Sequence, residues 1–163
     1  MAQATVEPLP TAPSVGTLSA DASRFGLDYV FPHAPIYFER PYAERFAAAG
    51  LVWVNFHDVK WTLLEPQPPV QGKHRYVWDT LDANVRHWQD NGFQIAMTLR
   101  MGNGWFAGPI DANTDAEGIP LGIRLALNAS DRLPKPDHRD DYRDWLSALV
   151  ERYDGDGNAD MPG

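Results

Sequence analysis

Twice in this chain an amphipathic stretch ends at a glycine and is followed at once by a short apolar run. Gly50 precedes Leu51 to Phe56 (LVWVNF), and Gly92 precedes Phe93 to Leu99 (FQIAMTL). Glycine is the residue that most easily adopts the left-handed turn closing a helix, and runs of this length rich in Val, Ile and Phe read as strands. A helix feeding directly into a strand, repeated, restricts the fold to β-α-β units with parallel strands, because parallel neighbours need a crossover between them. The flanking sequence fits. Phe25 to Phe31 (FGLDYVF), bounded by Pro32, reads as a first strand, and Pro41 suits the first turn of a helix carrying Tyr42, Phe46 and Ala49. A second helix starts near Asp79, with Trp78, Leu81, Val85 and Trp88 on one stripe and Asn91-Gly92 as its stop. A third is expected with Asp137 as its cap, Asp140 and Asp141 in its first turn, and Tyr142, Trp145, Leu149 and Tyr153 along one face.

The strands carry further expectations. Leu51 to Phe56 is almost continuously apolar, as a strand buried on both faces would be. In the third strand Phe93, Ile95, Met97 and Leu99 alternate with Gln94, Ala96 and Thr98, which directs the large set at helices and the small set into a crowded interior. Arg100 to Pro136 is rich in Gly, Pro, Asn and Asp, a long connection of the kind reserved for functional loops, with a small strand or hairpin at Leu121 to Leu127. Residues 1–23, rich in Pro, Ala, Ser and Thr, read as a flexible leader ahead of a folded region at 24–163. Both a doubly wound sheet and a barrel satisfy three alternating strands and helices. No G-x-G-x-x-G follows the first strand, which removes the main support for a dinucleotide fold.

A chain of 163 residues is long enough for one domain with a core. A complete eight-unit barrel needs roughly 250 residues, and no fourth strand is legible before Gly163. The expectation is therefore α/β: a partial (β/α)8 barrel made of its first three β/α units. A net charge of −8 argues against nucleic acid or an anionic membrane as partner. There is no cysteine, so thiol and disulfide chemistry are absent. No apolar run approaches the roughly 18 residues of a membrane span. Ala2-Gln3-Ala4 matches the small-x-small pattern of a signal-peptide cleavage site, which favours an extracellular or periplasmic setting.

Three stretches share an order and spacing with a known group. They are Gly50-Leu51-Val52-Trp53-Val54-Asn55, then Trp61-Thr62-Leu63-Leu64-Glu65-Pro66, then Tyr76-Val77-Trp78-Asp79-Thr80-Leu81-Asp82. Together they resemble the second and third β/α units of the clan A glycoside hydrolases, which include cellulases, β-galactosidases and β-xylosidases. Trp105 after the third strand and Leu149-Val150-Glu151-Arg152-Tyr153 at the end of the third helix extend the resemblance to about residues 25 to 160. One position departs from the pattern. Where the group usually has Arg at the end of strand two, this chain has Asn55, a neutral amide that cannot lower a neighbouring carboxylate's pKa as a cation would.

The resemblance implies cleavage of β-glycosidic bonds by two carboxyl groups, about 5 Å apart in a retaining enzyme. In the group these are glutamates at the ends of strands four and seven, the first preceded by Asn. No Asn-Glu dipeptide occurs here, so no catalytic residue carries over and the chain alone is expected to be inactive. Candidate sugar-binding residues are Trp105 and Trp61, which could stack on a sugar ring or brace the loops and core, and Asn55 and His57, with Asp58 beside them. Glu65 is either a local acid or the anchor of a turn through hydrogen bonds to backbone. The expected partner is an oligo- or polysaccharide, with self-association through uncapped strands. No cofactor is required, although Asp154, Asp156, Asn158 and Asp160 place oxygens at alternate positions as calcium loops do, so Ca2+ is a candidate ligand. The alternatives there are an acidic turn, or a non-catalytic carbohydrate- or calcium-binding module.

Overall fold

The computed structural model describes residues 25–107 and 134–162. Its elements run β1 (Gly26–Val30), α1 (Ile36–Glu39), α2 (Tyr42–Ala48), β2 (Trp53–Lys60), α3 (Trp61–Leu64), α4 (Asp79–Asp90), β3 (Gln94–Arg100), α5 (Gly104–Ala107) and, after a 3-10 turn at Pro136–His138, α6 (Arg139–Tyr153). The strands form a sheet in the order β1-β2-β3, and both pairings are parallel. The expected α/β class, with strands and helices in alternation, is what the chain adopts. Gly50 and Gly92 take φ of 85° and 84°, the left-handed conformation that ends α2 and α4 and turns the chain into the next strand.

One side of the sheet holds the core. Val54, Phe56 and Val59 of β2 pack there with Leu81, Val85 and Trp88 of α4, and with Trp145 and Leu149 of α6. Three of the six tryptophans, Trp61, Trp88 and Trp145, have no exposed surface. Trp61 lies parallel to Trp145 at 5.6 Å, and Phe93 meets Trp88 edge-on at 4.9 Å. Asp82 joins α4 to α6: it accepts 2.8 Å from Arg152 Nε and 2.7 Å from the Tyr153 hydroxyl, while the guanidinium lies over Trp78. Burial and the Asp82 carboxylate raise the Tyr153 pKa, so the hydroxyl keeps its proton and donates.

Several sequence expectations are corrected. β2 does not end at Phe56 but runs on through the polar residues to Lys60. It is not buried on both faces either: Val54 and Phe56 are buried, whereas Trp53 is 42% exposed, because nothing among the described residues covers the other side of the sheet. Asp137 does not cap the third helix with its side chain; it lies in the 3-10 turn, and His138 takes the cap position. The alternation in β3 holds, with Gln94 and Ala96 exposed and Ile95 and Met97 packed against the core. The leader and the expected hairpin at Leu121 to Leu127 lie outside the described residues.

Candidate functional site

Two strands carry one residue more than the neighbour they pair with. Leu27 pairs with Val54 and Val30 with Phe56, so Asp28 and Tyr29 together face Asn55. Phe56 pairs with Met97 and Val59 with Leu99, so His57 and Asp58 together face Thr98. These are β-bulges, and in each the second residue is left-handed: Tyr29 at φ 72° and Asp58 at φ 66°. Each bulge keeps Val30 or Val59 in the core while two consecutive side chains stay out of it. The sequence bears the trace of both, since Leu27-Asp28-Tyr29-Val30 and Phe56-His57-Asp58-Val59 each place two non-core residues where strict alternation allows one.

A polar row crosses the three strands as a result. Asn55 Nδ2 donates to Asp28 Oδ1 at 2.7 Å, and Asn55 Oδ1 accepts from the Thr98 hydroxyl at 3.2 Å. The Asn55 amide and the Tyr29 N–H hold the Asp28 carboxyl below its ordinary value. Nearer the strand ends, Asp58 is paired with Arg100 and lies 3.6 Å from Lys60 Nζ and 3.5 Å from His57 Nε2. Burial by itself would raise the Asp58 pKa, but the Arg100 hydrogen bond and the charges of Arg100, Lys60 and His57 offset it, and the net direction is down. Beside this row Tyr29 stacks on His57, centroids 4.3 Å apart, with Phe31 edge-on to both.

The candidate residues named from sequence separate into two groups. Asn55 and His57 sit in the polar row. Glu65, Trp61 and Trp105 form a packed unit beneath the loops. Glu65 has no exposed surface: Trp61 Nε1 donates to its Oε2 at 2.8 Å, His74 Nδ1 lies 2.7 Å from its Oε1, and its carbonyl accepts from Asn103 and Trp105. The carboxylate is thus held by two side chains rather than by the backbone bonds expected of a turn anchor. Trp61 offers no face to a ligand in this arrangement, and Trp105 is partly buried edge-on against it at 5.4 Å. His74 could not have been found from sequence, since its link to Glu65 depends on how the loop folds back; its Nε2 reaches toward Asp144 and Asp141 of α6 at 3.4 and 3.6 Å.

At the other end of α6, ligand oxygens of Asp154, Asp156 and Asp160 lie within 4.8 Å of one another. Both Asp160 oxygens already accept from backbone, at Gly155 and Gly157, and the Asn158 amide donates to Glu151. A groove of about 300 Å³ lies beside β1, walled mainly by Leu27, Val30, Tyr37, Tyr42 and Phe46, and touches the polar row only through Asp28 and Tyr29.

A parallel sheet with helices packed on one side and polar groups gathered along the other belongs, by architecture, with proteins assembled from β/α units. No family model matches the chain, and no curated protein matches it in sequence. Among solved structures it is similar in fold to the β-galactosidase of the psychrophilic Marinomonas ef1, at a TM-score of 0.51 and 16% identity. The likeness covers 82% of this chain and 20% of that enzyme's, so the chain spans about a fifth of the protein it matches.

Proposed function

We propose that this chain is the front of a (β/α)8 glycoside hydrolase acting on β-linked sugars, supplying its first three β/α units and part of the surface that holds substrate. The observation that carries this reading is the polar row of Asp28, Asn55 and Thr98, continued by His57 and Asp58, on the open face of a parallel sheet whose fold resembles part of a β-galactosidase. Charged and amide groups close together suit a ligand covered in hydroxyls, and barrel sites form at the C-terminal ends of strands, the end of β2 toward which His57 and Asp58 lie. The catalytic carboxyl pair would be contributed by other segments of the parent, because Glu65 is enclosed and no Asn-Glu dipeptide is present.

The chain alone is expected to leave aryl β-galactosides and β-glucosides intact while giving saturation-transfer NMR signals with lactose or cellobiose. Absence of signal from both sugars would sink the reading. In a longer reading frame, a Glu to Gln change at an Asn-Glu site should abolish hydrolysis. The edges of β1 and β3, unpaired among the described residues, are expected to promote self-association, visible as a concentration-dependent elution volume.

A second reading, a calcium-binding module, is favoured by the convergence of Asp154, Asp156 and Asp160. Calorimetric titration with Ca2+ decides it: heat lost in Asp160→Asn supports the module, and no heat in the unaltered chain removes it.

A further inference from the structure

Trp61 is fully buried and Trp105 partly so, whereas an aromatic group beside the polar row is exposed. Tyr29 is 59% exposed although one face of its ring is covered by His57 at 4.3 Å and an interplanar angle of 13°. The exposed ring surface lies outside that contact. Phe31 stands edge-on to both rings, 5.8 Å from Tyr29 and 6.1 Å from His57, and fixes the pair from the side. The backbone holding this ring is unfavourable for its residue type: φ of 72° lies in the left-handed region that disfavours a side chain. Glycine would adopt it freely but lack the ring. The bulge also keeps Asp28 next to the ring, its carboxylate oriented by the Asn55 amide.

We infer that Tyr29, braced by His57 and Phe31, is the stacking platform for a pyranose ring of a β-linked saccharide, with Asp28 accepting hydrogen bonds from that ring's hydroxyls. This rests on the proposed sugar-binding role. A pyranose has one face of axial C–H groups and a rim of hydroxyls, so it needs an open aromatic face and an acceptor beside it rather than above it. Tyr29 and Asp28 supply both from consecutive positions, which only a bulge allows in a strand. Trp61 and Trp105 act in this arrangement as the packed support of Glu65.

The test is titration of the whole 163-residue chain with lactose and with cellobiose, followed by NMR and calorimetry, for the unaltered protein, Tyr29→Phe, Tyr29→Ala and Trp105→Phe. Expected are shifts of the Tyr29 ring protons on sugar addition, affinity held within about threefold in Tyr29→Phe and Trp105→Phe, and a loss of about tenfold or more in Tyr29→Ala. The ring-proton shifts are read in the unaltered chain, so they remain decisive if Tyr29→Ala does not fold. Sugar binding with the Tyr29 ring unshifted overturns the platform and leaves the sugar-binding reading standing. No binding by the unaltered chain overturns both.

Discussion

Acidification should destabilise this chain through one histidine. His33, in the turn after β1, accepts the Lys60 backbone N–H on Nε2 at 2.9 Å, so that nitrogen must be unprotonated and the ring neutral. Burial, then the Lys60 charge, lowers the His33 pKa from 6.5 to about 4, with Asp58 opposing. Between those two values the unfolded chain takes up a proton that the folded chain refuses. Stability is therefore complete above about pH 6.5, declines as the pH falls, and stops declining near pH 4, where the folded ring also protonates. At 1.36 kcal/mol per pH unit the full shift corresponds to roughly 3 kcal/mol, and since part of the ring meets solvent about 2 kcal/mol is expected. The assay is urea unfolding at steps from about pH 7.5 to pH 4, comparing the unaltered chain with His33→Gln, which retains an acceptor and cannot titrate. Carboxylates contribute to both proteins and cancel in the difference. The gap between the two stabilities should change by about 2 kcal/mol across that range; parallel pH profiles would refute the account of His33 as a neutral acceptor.

Substitutions at three positions probe the packing of the fold, each read by the urea midpoint. Glu65→Ala leaves Trp61 Nε1 and His74 Nδ1 without their buried acceptor and should cost about 3 to 5 kcal/mol, whereas Glu65→Gln keeps one acceptor and should cost less than half of that. In Gly26→Ala the new Cβ would stand 2.8 Å from Trp53 Cβ and 2.9 Å from its carbonyl oxygen; β1 must shift away from β2, a loss of about 1 to 3 kcal/mol, and an unchanged midpoint would contradict the close approach. Asp82→Asn removes the charge facing Arg152 while keeping an acceptor for Tyr153, and should destabilise by about 1 to 3 kcal/mol; no loss would mean that α4 and α6 are held by their apolar contacts alone.

The frame of the fold was legible because it rests on periodicity and on glycine. Gly50 and Gly92 mark where helices stop, and Leu81, Val85 and Trp88 lie on the stripe their spacing implies. The site was legible in part. Asn55 and His57 could be named because they end an apolar run on a recognisable pattern. Trp61 and Glu65 were visible as residues but not in their role, since aromatic and acidic types do not disclose whether the fold will enclose them. Tyr29 carries no such signal, because a bulge is a fault in alternation one residue wide and a strand of five residues is too short to make it stand out. His74 depends on a loop closing over nine residues to Glu65, a contact with no local signal.

The paired bulges also bear on which single-residue deletions the chain can survive. Removing either Asp28 or Tyr29 would restore regular pairing between Leu27–Val54 and Val30–Phe56, leaving every core valine on its own side. The same holds for His57 or Asp58 against β3. Deleting Val54, Asn55 or Phe56 would instead slip one part of β2 by a residue against its neighbours and break up the buried set. A deletion scan scored by yield of folded protein should thus show two tolerated notches, one in each bulge, in otherwise intolerant strands.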